Sequence, residues 1–243
     1  MAVHCEVHPE GQRLTVAVNG LLRLSDSVPL RERLLKCLAE QPEALLIDLG
    51  GLHVDQPLAL SVFTAILQQA ARWPGTPVLL HSPPPRTRDL LINGAYRQLP
   101  LVADRAAAEA RLSDERLVIP QIRDDLLPVS GSTRHARDVV TDACLRWDLP
   151  DLVAPASLIV TELVANVIDH AHTMMALRVS LRKRYLNIAV RDGSADPPEP
   201  GGPHQPHSTH GRGLLLIDSM AYTWGWLPTE SGKVVWAALR REP

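Results

Sequence analysis

Two hydrophobic periods alternate along the first part of the chain. Leu14, Val16 and Val18 recur at every second position and predict a short strand ending at Asn19-Gly20. Leu30, Leu34, Leu35 and Leu38 recur at three-to-four spacing and predict a helix from about Val28 to Glu40. Ala44 to Leu49 is a short continuous apolar run closed by Asp48 and Gly50-Gly51, the pattern of a buried strand. Leu58 to Arg72 reads as helix, and Val78 to His81 as strand stopped by Pro83-Pro84-Pro85. Two further helices are expected, at Arg86 to Asn93 and Ala103 to Leu112. The rhythm implies a sheet covered by helices.

After Leu112 the pattern restarts. A strand is expected near Arg116 to Ile122, then a helix from Ser132 to Trp147 with His135, Val139, Ala143 and Trp147 in one row. Pro150 and Pro155 read as breaks before a strong helix, Ala156 to His172. Strands follow at Ala176 to Leu181 and Leu186 to Arg191. Ser194 to His210 is poor in apolar residues and rich in proline and histidine. A helix beginning near Arg212 and strands at Tyr222 to Leu227 and Lys233 to Leu239 close the chain. The two sets of elements predict two domains, residues 1–112 and 113–243, both of the α/β (α+β) class.

Composition narrows the field. The 243 residues carry a formal net charge of -2, which leaves no cationic excess for a nucleic-acid backbone. Cys5, Cys37 and Cys144 form no CxxC pair and read as reduced thiols of a cytoplasmic protein. Neither a signal peptide nor a run of ~20 apolar residues able to span a membrane is expected.

Candidate chemistry concentrates in the second half. On the helix before His172, Val160, Leu163, Val164, Val167, Ile168 and Ala171 cover one side. Glu162, Ala165, Asn166, Asp169 and His170 cover the other, without a lysine or arginine. Glu162 and Asn166 lie four residues apart, close enough to serve one ligand, although polar stripes are common on helices. Asp192 falls on the face of Leu186, Ile188 and Val190, where a carboxylate needs a donor. It could cap the Gly193-Ser194 turn, or accept from the amino group of a ligand. Gly211-Arg212-Gly213 before Leu214-Leu215-Leu216-Ile217 would leave N–H groups open to an anion at a helix start, or be an ordinary turn. His204, His207 and His210 lack the acids or cysteines that would complete a metal set.

Taken in order, these pieces resemble the GHKL ATPases and, within them, the anti-sigma-factor serine kinases of Gram-positive bacteria. The resemblance rests on Glu162-Leu163-Val164-Ala165-Asn166 with His170-Ala171, Val190-Arg191-Asp192-Gly193, and His210-Gly211-Arg212-Gly213-Leu214. The tail from Trp224-Gly225 to Gly232-Lys233-Val234-Val235-Trp236 completes it. It implies a GHKL (Bergerat) α/β sandwich with a mixed, mainly antiparallel sheet, binding ATP and Mg²⁺. Glu162 would be the catalytic base and Asn166 the Mg²⁺ ligand. Asp192 would take the adenine amino group. Gly211 and Gly213 would offer backbone N–H groups to the phosphates, with Arg212 adding charge. His170, Gly193 and Leu214 complete the expected nucleotide-binding set, and Ser194 to His210 would be its lid. The proline-bearing run Gly193-Ser194-Ala195-Asp196-Pro197-Pro198 departs from the family's glycine-rich step and resembles an actinobacterial subgroup.

In the first half, Leu45-Leu46-Ile47-Asp48-Leu49, then Val54-Asp55-Gln56-Pro57, Leu90-Leu91-Ile92-Asn93-Gly94 and Leu99-Pro100-Leu101-Val102 resemble the STAS domain of anti-sigma-factor antagonists. That family accepts phosphate on a serine in the turn after the buried strand. Here Pro57 stands at that position, without a hydroxyl or a backbone N–H. The module is therefore expected to be degenerate, with Asp55, Gln56 and Leu58 as a docking surface and Ser61 as a further hydroxyl nearby. The combined expectation is a cytoplasmic partner-switching regulator of transcription. It would phosphorylate a serine of an antagonist, sequester a sigma factor, or act as a catalytically inactive, nucleotide-gated binding module. Association of two copies is compatible with either.

Overall fold

The computed structural model describes residues 3–73, 75–93, 95–114, 119–198 and 213–241. The chain forms two compact units, Met1–Leu117 and Val118–Pro243.

The first unit follows the order β1 (His4–Glu10), β2 (Arg13–Leu22), α1 (Ser27–Ala39), β3 (Leu45–Asp48), β4 (Leu52–Val54), α2 (Ser61–Arg72), β5 (Val78–His81), α3 (Pro85–Ile92), β6 (Leu101–Val102) and α4 (Arg105–Asp114). Its sheet runs β1-β2-β3-β5-β6, with β4 paired to β2. β1 and β2 are antiparallel and the other pairings parallel. Leu45 and Ile47 point into one core with Phe63 and Ile66 of α2. Leu46 and Leu79 point into another, with Ala108 and Leu112 of α4. Covered on both faces, β3 must be apolar at consecutive positions, which is why its run of leucines and isoleucine was readable. β1 was not foreseen. Among the described residues it pairs with β2 alone, so half-burying Cys5 and Val7 suffices while His4, Glu6 and His8 stay exposed.

The second unit comprises β7 (Gln121–Leu126), α5 (Gly131–Arg146), α6 (Val153–Asn166), β8 (Met175–Leu181), β9 (Tyr185–Asp192), α7 (Gly213–Met220), β10 (Thr223–Pro228) and β11 (Lys233–Arg240). The sheet order is β10-β11-β9-β8-β7, and each of these pairings is antiparallel. Its helix-covered face presents Leu177, Val179, Ile188, Val190, Val235 and Ala237 to Ile159, Val160, Leu163 and Val164 of α6.

Two boundaries differ from expectation. The edge strand β7 lies at Gln121–Leu126, later than Arg116 to Ile122, because pairing with β8 rather than apolar content defines it. α6 starts at Val153, so Pro155 lies inside its first turn, where a missing N–H leaves no helical bond unmade. With the preceding 3₁₀ turn and the following π turn, the helical stretch Pro150–Ala171 contains an 18-residue window of mean hydropathy 1.6, enough by length and composition to cross a membrane. In this fold it packs on the sheet through Ile159, Val160, Leu163 and Val164.

Candidate functional site

α6 carries Glu162 half-buried about one turn before its end and Asn166 half-buried as its last residue. Past Asn166 the helix widens into a π turn, Val167–Ala171, which His172 closes in the left-handed conformation (φ 54°). A π turn holds more residues per revolution than an α-turn, so it rotates Asp169 and His170 away from the stripe an ideal helix predicts. Both are exposed. Such widenings recur where a helix must aim side chains at a ligand.

Thr173, directly after this turn, fastens the helix end to β9. Its Oγ1 accepts from the Gly193 N–H at 2.9 Å. Asp192 is thus held beside the junction. Its side chain is almost wholly buried, and Oδ1 accepts from the Ser194 N–H at 2.8 Å and from Lys233 Nζ at 3.1 Å. The carboxylate caps the Gly193-Ser194 turn, one of its two expected roles, and its other partner here is Lys233.

Lys233 was missed by sequence reasoning. It stands opposite Asp192 in the β9–β11 register and is 8% exposed. Its signal was available in the alternation: Lys233, Val235, Ala237 and Leu239 share one strand face.

The third contact joins α6 to α7. Gly213, the first residue of α7, lies so close to Glu162 that a β-carbon there would collide with Oε2. Burial raises the Glu162 carboxyl above its ordinary range, and the nearby negative charge of Asp169 adds to the effect. Leu214 enters the core, 4% exposed, so its side chain packs under the helix and only its backbone could face a ligand. Gly211, Arg212, His204, His207 and His210 lie outside the described residues, as does the lid segment beyond Pro198. Among the described residues no group of three or more His, Cys, Asp or Glu side chains could hold a metal.

In the first unit, Pro57 opens a 3₁₀ turn, Pro57–Leu60, leading into α2. Around it, the Leu24 N–H donates to Gln56 Oε1 at 2.8 Å, and Arg23 Nε lies 3.4 Å from Asp55 Oδ2. Leu58 is 64% exposed. Ser61 begins α2 on the exposed side.

Residues 130–239 match the family model described as a histidine kinase-like ATPase domain. No curated protein matches the chain. An anti-sigma factor antagonist from Mycobacterium paratuberculosis is a structural relative at 20% identity, covering 46% of this chain and 96% of that one, with a TM-score of 0.41. An RsbS variant from Moorella thermoacetica shows 18% identity, the same 46% of this chain, 96% of its own and a TM-score of 0.38. The anti-sigma factor antagonist SpoIIAA in its unphosphorylated form shows 11% identity over 46% and 97% of the two chains, with a TM-score of 0.38.

Proposed function

With a histidine kinase-like ATPase domain over residues 130–239 as the premise, we propose that this chain is a bacterial cytoplasmic partner-switching regulator. Its second unit would bind ATP with Mg²⁺ and phosphorylate a serine on a separate antagonist protein. Its first unit would serve as a STAS-type docking module. The observation that carries the kinase reading is the half-buried Glu162, its proton affinity raised, packed against the first residue of α7.

The residues suit this chemistry. Asp192 supplies a buried acceptor for a base amino group, and Gly213 places a backbone N–H at the start of α7, where phosphate oxygens would be received. Asn166 Oδ1 is an oxygen donor of the type Mg²⁺ takes, and the ion would offset phosphate charge. Glu162 would take the proton from the attacking serine Oγ. The new bond forms from Oγ to the γ-phosphorus, the bond from that phosphorus to the β–γ bridging oxygen breaks, and ADP departs. Gly211, Arg212, His170 and Gly193 complete the proposed nucleotide contacts.

The first unit cannot be the conventional acceptor, because Pro57 has no hydroxyl. Asp55, Gln56 and the exposed Leu58 would remain as its docking face. Pro57, together with the prior engagement of Asp192 by Lys233, favours a second reading: a nucleotide-gated binder of a sigma factor or antagonist that transfers no phosphate.

Incubation with γ-labelled ATP, Mg²⁺ and candidate antagonist proteins separates the two. The kinase reading expects label on an antagonist serine with wild type and none with Glu162→Ala. ATP binding without label in any combination leaves the binder. Unchanged ATP affinity in both Asp192→Ala and Asn166→Ala would overturn the site.

A further inference from the structure

We propose that Lys233 reads the adenine ring, donating to N1 while Asp192 accepts from the N6 amino group. This rests on the ATP-binding reading above and adds to it a residue that sets base specificity.

The inference begins with an ion pair in an unfavourable place. Asp192 and Lys233 face each other across β9 and β11, on the strand faces that elsewhere carry Ile188, Val190, Val235 and Ala237 into the core. Relative exposures are 4% for Asp192 and 8% for Lys233. Desolvating two charges offsets much of their attraction, so a packed apolar pair would join these strands at least as well. Holding the sheet together therefore does not account for the pair.

Its donor and acceptor layout does. Lys233 Nζ lies 3.1 Å from Asp192 Oδ1 and 3.4 Å from the Ser194 carbonyl oxygen. An ammonium has three N–H donors, and among the described residues two of them meet these acceptors. The third can serve a ligand. A carboxylate acceptor beside a cationic donor matches the edge of adenine, where the N6 amino group donates and the adjacent N1 accepts. Guanine would satisfy the same two groups in reverse, through N1–H and O6, and the choice of adenine follows from the ATP-binding reading above. Charge-assisted hydrogen bonds are the stronger class, so removing one partner is readily measured.

The probes are ATP, 1-deaza-ATP, in which N1 becomes C–H, and 7-deaza-ATP as a control with N1 intact. All are titrated against the full chain with Mg²⁺ by calorimetry. Wild type should bind 7-deaza-ATP much as it binds ATP, and 1-deaza-ATP roughly ten-fold or more weakly. In Lys233→Met the penalty for 1-deaza-ATP should shrink to about two-fold or less, whatever the absolute affinity. A purely structural lysine leaves any penalty for 1-deaza-ATP undiminished in Lys233→Met, and that result overturns the proposal. Equal wild-type affinities for ATP and 1-deaza-ATP also overturn it, even if Lys233→Met does not fold. Tighter binding of GTP than of ATP overturns it as well. Failure of wild type to bind ATP at all defeats the underlying ATP-binding reading, which is a distinct result.

Discussion

Gly213 and Glu162 are in contact across two helices: the space a β-carbon would need at the start of α7 is taken by the carboxylate of α6. What a methyl group would strike is the far end of a flexible side chain, so the carboxylate can yield where backbone could not. Gly213→Ala is therefore expected to leave stability nearly unchanged, helped by the better helix propensity of alanine. On the kinase reading, ATP turnover should fall at least ten-fold as the proposed base is displaced. Thermal unfolding alongside single-turnover phosphotransfer tests both halves, and loss of turnover with a matching loss of fold would contradict it.

Gly232 offers a contrast. A β-carbon there would meet the carbonyl oxygen of Asp192 and the backbone of Gly193, neither of which can swing aside. Gly232→Ala should destabilise the chain by about 1–3 kcal/mol, as overpacking does. It should also weaken ATP binding by shifting Asp192. Urea unfolding with nucleotide titration measures the pair of effects.

The acid limb of activity should reflect Glu162. Its carboxyl is raised by burial first and by Asp169 second, so the proton stays on to a higher pH than in an ordinary glutamic acid. A base must be deprotonated to act, and turnover should decline as pH falls through this raised value. Asp169→Asn should move that limb to lower pH with little change at the plateau. A pH–rate profile in which the limb does not move would remove Asp169 from the account.

His81, buried at the end of β5, should make stability depend on pH. Its Nδ1 lies 3.0 Å from Ser82 Oγ and 3.8 Å from Asp48 Oδ1, and Nε2 meets no partner among the described residues. Burial lowers its proton affinity more than Asp48 restores it, with Arg105 lowering it further and Asp104 and Glu10 opposing. The folded form thus binds the proton less readily than the unfolded chain. Stability present above the ordinary histidine value of 6.5 is lost as pH falls from there through the folded value. The loss is at most about 1.4 kcal/mol per pH unit for one group. Equilibrium unfolding of wild type and His81→Asn across that window should show a shallower slope in the variant.

Much of this was legible along the chain. The buried strand Leu45–Asp48 and strand Val78–His81 announced themselves because burial on both faces forces apolar residues at every position. Edge strands need little apolar surface, so the polar residues of β1 hid it and those of β7 displaced its expected bounds. Pro155 read as a break because sequence shows a proline without showing that it falls in a first turn, where it is tolerated. The π turn after Asn166 had no local signature.

The sequence by itself determined which chemical groups exist and in what order: the acid and amide of α6, the aspartate at the end of β9, and the absence of a hydroxyl at Pro57. Covalent composition needs no fold to establish it. Only the tertiary structure decided which groups meet. Lys233 reaches Asp192 from 41 residues away because β11 pairs with β9 in one register and no other, and a shift of one residue would turn it to the opposite face. Glu162 meets Gly213 because α6 and α7 bury Leu163 and Ile217 in a common core, which brings their ends together.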